Sequence, residues 1–320
     1  MSEDGTAELL LASPRGFCAG VDRAIEIVEL ALEIYGAPIY VRHEIVHNRH
    51  VVDGLRRLGA VFVDEISEVP EESLLIFSAH GVSPSVREEA KRRRLRAIDA
   101  TCPLVTKVHI EALRYARRGY QIVLVGHRGH VEVEGTLGHA RERMHLVETL
   151  DDVEGLGGLD PERLAVLTQT TLSVDDTREI ISALRRRFPG IRTPGKDDIC
   201  YATQNRQNSV KTIAERVDLV LVVGAPSSSN STRLVEVARA HGARAHLVED
   251  SSDVEPEWLE GAARVGVTAG ASAPEALVSD LLERLQSLGC AQAEEVRLVD
   301  ESVTFALPPE LKRDVESMRT

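Results

Sequence analysis

The chain reads as an α/β protein built on mostly parallel sheets. Short apolar runs alternate with helix-patterned stretches almost from end to end, and glycine and proline punctuate the changes. The polar motifs of greatest chemical interest directly follow the apolar runs. Alternation of this kind predicts parallel strands joined by crossover helices.

In chain order, the strand candidates are 9–13, 39–43, 74–78, 122–126, 164–168, 219–224, 245–248 and 265–268. The clearest helix is 21–35, where Val21, Ala24, Ile25, Val28, Ala31, Leu32 and Tyr35 share one face before Gly36 and Pro38 end it. Breaker-rich stretches at 95–103 and 189–198 divide the chain into segments 1–101, 102–198 and 199–320. Each segment holds several strand–helix units and one of Cys18, Cys102 and Cys200. This spacing suggests a three-fold arrangement of α/β segments, with a C-terminal segment on the third. A two-domain doubly wound fold fits the same alternation.

Composition narrows the function. With 43% hydrophobic and 28% charged residues the chain has an ordinary globular composition. Aromatic residues make up 3% and the net charge is −13, which argues against nucleic-acid partners. A phosphorylated small molecule stays compatible, since local donors hold an anion against a negative mean field. The acidic start MSEDGTAE has no signal-peptide pattern, and no apolar run is long enough to span a bilayer. The cysteines show no secreted disulfide pattern, so a reduced, cytoplasmic protein is expected.

The polar motifs are HEIVHNRH (43–50), SAHGVSP (78–84), GHRGHVEVEG (126–135), TQTTLS (168–173), GAPSSSNSTR (224–233) and TAGASAPE (268–275). Open α/β sheets bind ligands at the carboxyl ends of their strands, so these motifs are expected on one rim. Cys18, Cys102 and Cys200 also sit in short polar motifs, one in each third of the chain. As ligands of one metal centre they would leave a position open for substrate, whereas structural zinc favours four ligands and close CxxC pairs. Free cysteine is also an ordinary small core residue, and Cys290 in LERLQSLGC fits that description.

The run SSSNS at 227–231 opens a helical pattern, where hydroxyls, an amide and free N–H groups form an anion cradle as readily as a plain N-cap. Gly270-Ala-Ser272-Ala-Pro274 repeats the device, with Pro274 expected in the first helical turn. His47, His80 and His130 each follow a strand and suit donors to an anion. If 130–134 is extended, His130 and Glu132 point the same way as a proton-relay pair. Thr170 would orient a hydroxyl or water beside that carboxylate. The basic run KRRRLR (91–96) reads as a solvated helix end or as a docking patch for an acidic electron carrier.

The strings PRGFCAGVDRAI, HEIVHNR, SAHGVSP, DATCPLVTKVH, GHRGHVEVEGT, TQTTLSVDDT, DICYATQNRQ, SSSNSTRL and TAGASAP together resemble the 4-hydroxy-3-methylbut-2-enyl diphosphate reductases. These are iron–sulfur enzymes of the methylerythritol phosphate route to isoprenoids. The resemblance implies three similar α/β lobes with mostly parallel sheets, arranged pseudo-three-fold around a central cavity, and a [4Fe–4S] cluster held by Cys18, Cys102 and Cys200, one per chain, with an apical iron open to substrate. It implies diphosphate binding by His47, His80, Ser228, Ser229, Asn230 and Ser272, with His130 and Thr170 lining the hydroxymethyl end and Glu132 delivering protons. It also implies ferredoxin or flavodoxin as electron donor, and reductive dehydroxylation to isopentenyl and dimethylallyl diphosphate. Two rival readings use the same residues: a zinc-dependent hydrolase of a phosphorylated metabolite, and a phosphometabolite sensor whose cysteines merely pack.

Overall fold

A computed structural model describes residues 6–194 and 198–318. The acidic residues 1–5 and part of the second breaker stretch, 195–197, lie outside the described residues. In chain order the strands are β1 (Ala7–Ser13), β2 (Ile39–Arg42), β3 (Ala60–Val63), β4 (Leu74–Phe77), β5 (Arg96–Asp99) and β6 (Gln121–Val125). They continue with β7 (Met144–Val147), β8 (Leu164–Thr168), β9 (Leu219–Val223), β10 (Arg244–Val248), β11 (Arg264–Ala269) and β12 (Cys290–Arg297). Helices fill most of the connections, as the alternation predicts.

The strands form three sheets, ordered β10-β9-β11-β1-β12, β3-β2-β4-β5 and β7-β6-β8. Every named strand pair among the described residues is parallel. The chain divides into two units. One contains the residues up to Ala19, His47–Val51 and Tyr201–Val303. The other contains Gly20–Val46, Val52–Cys200 and the residues from Thr304 onward.

In the first unit, β9 (LVLVV) is buried along its whole length. Leu219, Leu221 and Val223 pack on one face with Leu277, Val278 and Leu281, and Val220 and Val222 pack on the other with Val210, Ile213 and Leu234. Burial on both faces explains why this strand reads as a continuous apolar run. β1 joins the same sheet between β11 and β12, so the start of the chain completes the sheet formed by its end.

In the second unit, β6 is covered in the same way, by Val123 and Val125 on one face and Ile122 and Leu124 on the other. All eight strand candidates are present. The four strands absent from the sequence reading are β3, β5, β7 and β12, each at a sheet edge. Three of them are only four residues long, and an edge strand is covered incompletely, so the apolar signal is short or broken. β12, CAQAEEVR, is the extreme case, with only Cys290 buried and Gln292, Glu294, Glu295 and Arg297 exposed. Among the described residues, no helix is long and apolar enough to cross a membrane.

Candidate functional site

In the first unit, three motifs follow β1, β9 and β11 on one sheet rim. Ser228 is the N-cap of the helix Ser229–Ala240, its Oγ accepting from the Ser231 N–H at 3.3 Å. Ser272 Oγ donates to the His47 carbonyl at 3.0 Å and lies 3.4 Å from Ser228 Oγ. Asn230 accepts from the Ala271 N–H at 2.9 Å and donates to Thr203 Oγ1 at 3.3 Å. His47, Ser228, Asn230 and Ser272 are therefore brought together, with Ser229 in the first turn of the helix.

The close approach of the two loops depends on glycine. A Cβ on Gly224 or Gly270 would fall 2.2 Å or 2.0 Å from the hydroxyl of Ser231, which is itself wholly buried. The result is a helix N-terminus flanked by two serines and an amide, a suitable cradle for a phosphate-type anion. Pro274 stands one position earlier than the sequence suggests. It is the N-cap of the helix Glu275–Ser287, an extended position that proline adopts readily.

In the second unit, Glu132 and Thr170 form a buried pair, each about 4% exposed. The Thr170 N–H donates to Glu132 Oε1 at 2.7 Å and its hydroxyl donates to Oε2 at 3.0 Å. The expected extended geometry at 130–134 is corrected here, because Val131–Leu137 is helical. His130 caps this helix, its Nδ1 accepting from the Glu132 N–H at 3.1 Å. A neutral ring in that arrangement carries its proton on Nε2. His80 meets His130 edge-on, with ring centroids 6.0 Å apart, and its Nδ1 lies 3.3 Å from Ser78 Oγ. The Cys102 N–H bonds the Ala79 carbonyl at 2.9 Å and the Cys200 N–H bonds the Thr170 carbonyl at 3.0 Å. The unit thus gathers His80, Cys102, His130, Glu132, Thr170 and Cys200 through short-range bonds.

None of the four cysteines forms a disulfide. Cys18, Cys102 and Cys200 are half-buried, and each directly precedes a long helix: Ala19–Tyr35, Pro103–Arg117 and Tyr201–Ala214. At such a position the helix dipole favours negative charge. Cys290 is different. It lies in the apolar core at the start of β12, where burial pushes its thiol up from the ordinary value. Among the described residues, no group of three or more His, Cys, Asp or Glu side chains is already set to hold a metal ion.

Sequence reasoning missed several supporting residues. Asp198 is buried between Lys107 Nζ, at 3.0 Å, and the Thr168 N–H, at 3.1 Å. Burial raises its carboxyl to about 6, with Lys107 opposing. Tyr201 faces the Ala19 N–H and is raised to about 12, first by burial and then by the charge on Cys18. Arg206 has no exposed side-chain surface. One signal of its role was present: Thr203, Arg206, Gln207, Val210 and Ile213 keep helical spacing, so polar groups occupy a core-facing stripe. The basic run is largely engaged within its own unit. Arg93 donates to the Val69 carbonyl, Arg94 pairs with Glu71 and Glu72, and Arg96 pairs with Asp314 while lying over the Tyr35 ring.

The family model described as LytB protein matches residues 9–286. The 4-hydroxy-3-methylbut-2-enyl diphosphate reductase of Azoarcus sp. is 59% identical over 305 residues, covering 95% of this chain and 98% of the relative. The enzyme of the same name from Chromohalobacter salexigens is 58% identical over 312 residues, covering 96% and 98%. A solved structure from Plasmodium falciparum, of the E-1-hydroxy-2-methyl-but-2-enyl-4-diphosphate reductase, is 38% identical. It covers 98% of this chain and 100% of its own, with a TM-score of 0.93.

Proposed function

The chain belongs to the LytB protein family, and we propose that it is a 4-hydroxy-3-methylbut-2-enyl diphosphate reductase. The reaction removes the allylic hydroxyl as water, with two electrons and two protons consumed and one C–H bond formed. Its products are isopentenyl and dimethylallyl diphosphate. The observation that carries this reading is the buried carboxylate of Glu132, held by two donors of Thr170. Glu132 stands on a helix capped by His130, whose ring meets that of His80.

The donor set fits an iron–sulfur cluster. Cys18, Cys102 and Cys200 are unpaired in disulfides and half-buried, and each stands at a helix start that favours an anionic sulfur, whereas Cys290 is packed in the core. Bound there, a [4Fe–4S] cluster would supply the electrons and a Lewis-acid iron for departure of the hydroxyl. Thiols outside any disulfide suit a reducing, cytoplasmic setting, with ferredoxin or flavodoxin as donor.

The chain's own residues bind, orient and move protons. The N-terminus of Ser229–Ala240, with Ser228, Ser229, Asn230, Ser272 and the imidazoles of His47 and His80, would take the diphosphate. Thr170 fixes the Glu132 carboxyl in one orientation, so that a proton carried at Oε2 is presented in a set direction. The His130 Nε2–H would donate to the hydroxyl oxygen of the substrate, as His130 Nδ1 is occupied by the Glu132 N–H. Burial of Glu132 and Thr170 keeps bulk water from competing for that proton.

The test is anaerobic reconstitution followed by iron and sulfide analysis and turnover with a reduced donor. About four irons per chain are expected for a single [4Fe–4S] cluster. Cys18→Ser should lose iron and Cys290→Ser should not. Equal loss in both variants would mean that the ligand set is wrong. A colourless zinc protein active without reductant would favour the hydrolase.

A further inference from the structure

The helix Tyr201–Ala214 places a complete cation in the interior of the first unit, and neither diphosphate binding nor proton delivery uses it. A buried guanidinium is tolerated only when its donors are satisfied and its charge is compensated. Arg206 meets both conditions. Its Nε and Nη2 donate to the Gly16 carbonyl at 3.0 and 2.7 Å, and Nη2 also reaches the Phe17 carbonyl at 3.0 Å. Nη1 donates to the Ala202 carbonyl at 3.1 Å and to the Glu301 carboxylate at 3.1 and 3.3 Å. Glu301 is held in turn by Asn205, at 2.9 Å.

The two carbonyls gripped by the guanidinium belong to the residues immediately before Cys18. On the other side of Cys18, the Ala19 N–H faces the phenol of Tyr201, on the first turn of the same helix. The Cys18 backbone is therefore held from both sides by a helix that begins one residue after Cys200 in sequence.

We propose that Arg206, held by Glu301, is a positioning residue that sets the Cys18 thiol for ligand duty before any cluster is bound. The role rests on the cluster reading above. Only a planar fork can serve two neighbouring carbonyls and a carboxylate at once, so lysine cannot substitute even though it keeps the charge. Glu301 comes from the segment after β12, so the C-terminal part of the chain sets the geometry of a thiol near its start.

The experiment uses the full-length protein and two variants that retain most of the packing, Arg206→Lys and Glu301→Gln. In the apoprotein, hydrogen exchange of residues 16–20 should accelerate by about tenfold or more in both, corresponding to ~1.4 kcal/mol of local opening. Exchange across β9 should stay at the wild-type rate. After reconstitution, the reduction potential of Glu301→Gln should move positive, because removal of a half-buried negative charge favours the added electron. Glu301→Asp should return the potential to the wild-type value.

Unchanged exchange at 16–20 in both variants would overturn the inference. Acceleration of equal size in β9 would also overturn it, since general loosening is a structural effect only. A potential that fails to respond to the charge at 301 would remove the link to the cluster. A wild-type protein that takes up no iron would overturn the ligand role while leaving the exchange result standing, which separates failure of the cluster reading from failure of the clamp.

Discussion

His109 should make the protein acid-sensitive, by an amount that follows from its burial. It lies on the helix Pro103–Arg117, is 4% exposed, and stacks on His139 with ring centroids 4.1 Å apart. Burial lowers its pKa to about 3, with His139 and Arg87 acting in the same sense and Asp99 opposing. Unfolding restores the ordinary value near 6.5, so between about pH 6.5 and 3 the unfolded chain binds the extra proton. Stability is then retained at neutral pH and lost as the pH falls. At pH 5 the gap in proton binding corresponds to about 2 kcal/mol, and at pH 6 to a little under 1 kcal/mol. His109→Met removes the titrating ring and introduces an adaptable apolar side chain. Urea denaturation of wild type and variant at pH 7.5 and pH 5 is the assay, with the cluster-free protein used for both. The acid-induced loss should be smaller in the variant by about 2 kcal/mol. Equal losses in the two proteins would refute the assignment of a neutral buried imidazole.

Two further outcomes concern the reaction. Glu132→Gln should leave iron content and diphosphate binding intact while abolishing nearly all turnover, because the amide still accepts from the Thr170 N–H but carries no transferable acid proton. Wild-type turnover in that variant would remove Glu132 from proton delivery. Asn230→Ala leaves the Ala271 N–H without its acceptor, so a stability loss of about 1–3 kcal/mol is expected. A raised KM with kcat little changed should accompany it, since the loop carrying Ser272 loses its anchor. Unchanged KM would show that the loop holds its shape without Asn230.

The interior strands were legible because burial on both faces leaves a continuous apolar run, as in β6, β9 and β11. The polar motifs were legible for a related reason. Ser228, Asn230, Ser272, His130, Glu132 and Thr170 stand just past such runs, and all but His130 are buried, so a polar residue type there stands out against the apolar pattern. The edge strand β12 was not legible, since its exposed side accepts almost any residue type, and β3, apolar throughout, was too short at four residues to stand out. The register of Glu132 was also misjudged, because His130 serves as a helix cap and a dipeptide-scale pattern does not distinguish a cap from an extended segment.

By itself, then, the amino-acid order determined the α/β class, the central strands, the helix over 21–35 and the motifs that follow the strands, all of them local consequences of periodicity and turn chemistry. Only the tertiary structure decided that β1 pairs with β11 and β12, that Asp198 is buried against Lys107, and that Arg206 reaches back to Gly16 and Phe17. These are contacts across long sequence separations. Each depends on how buried backbone carbonyls and charges are satisfied once the sheets have formed, and no local pattern encodes which distant group will satisfy them.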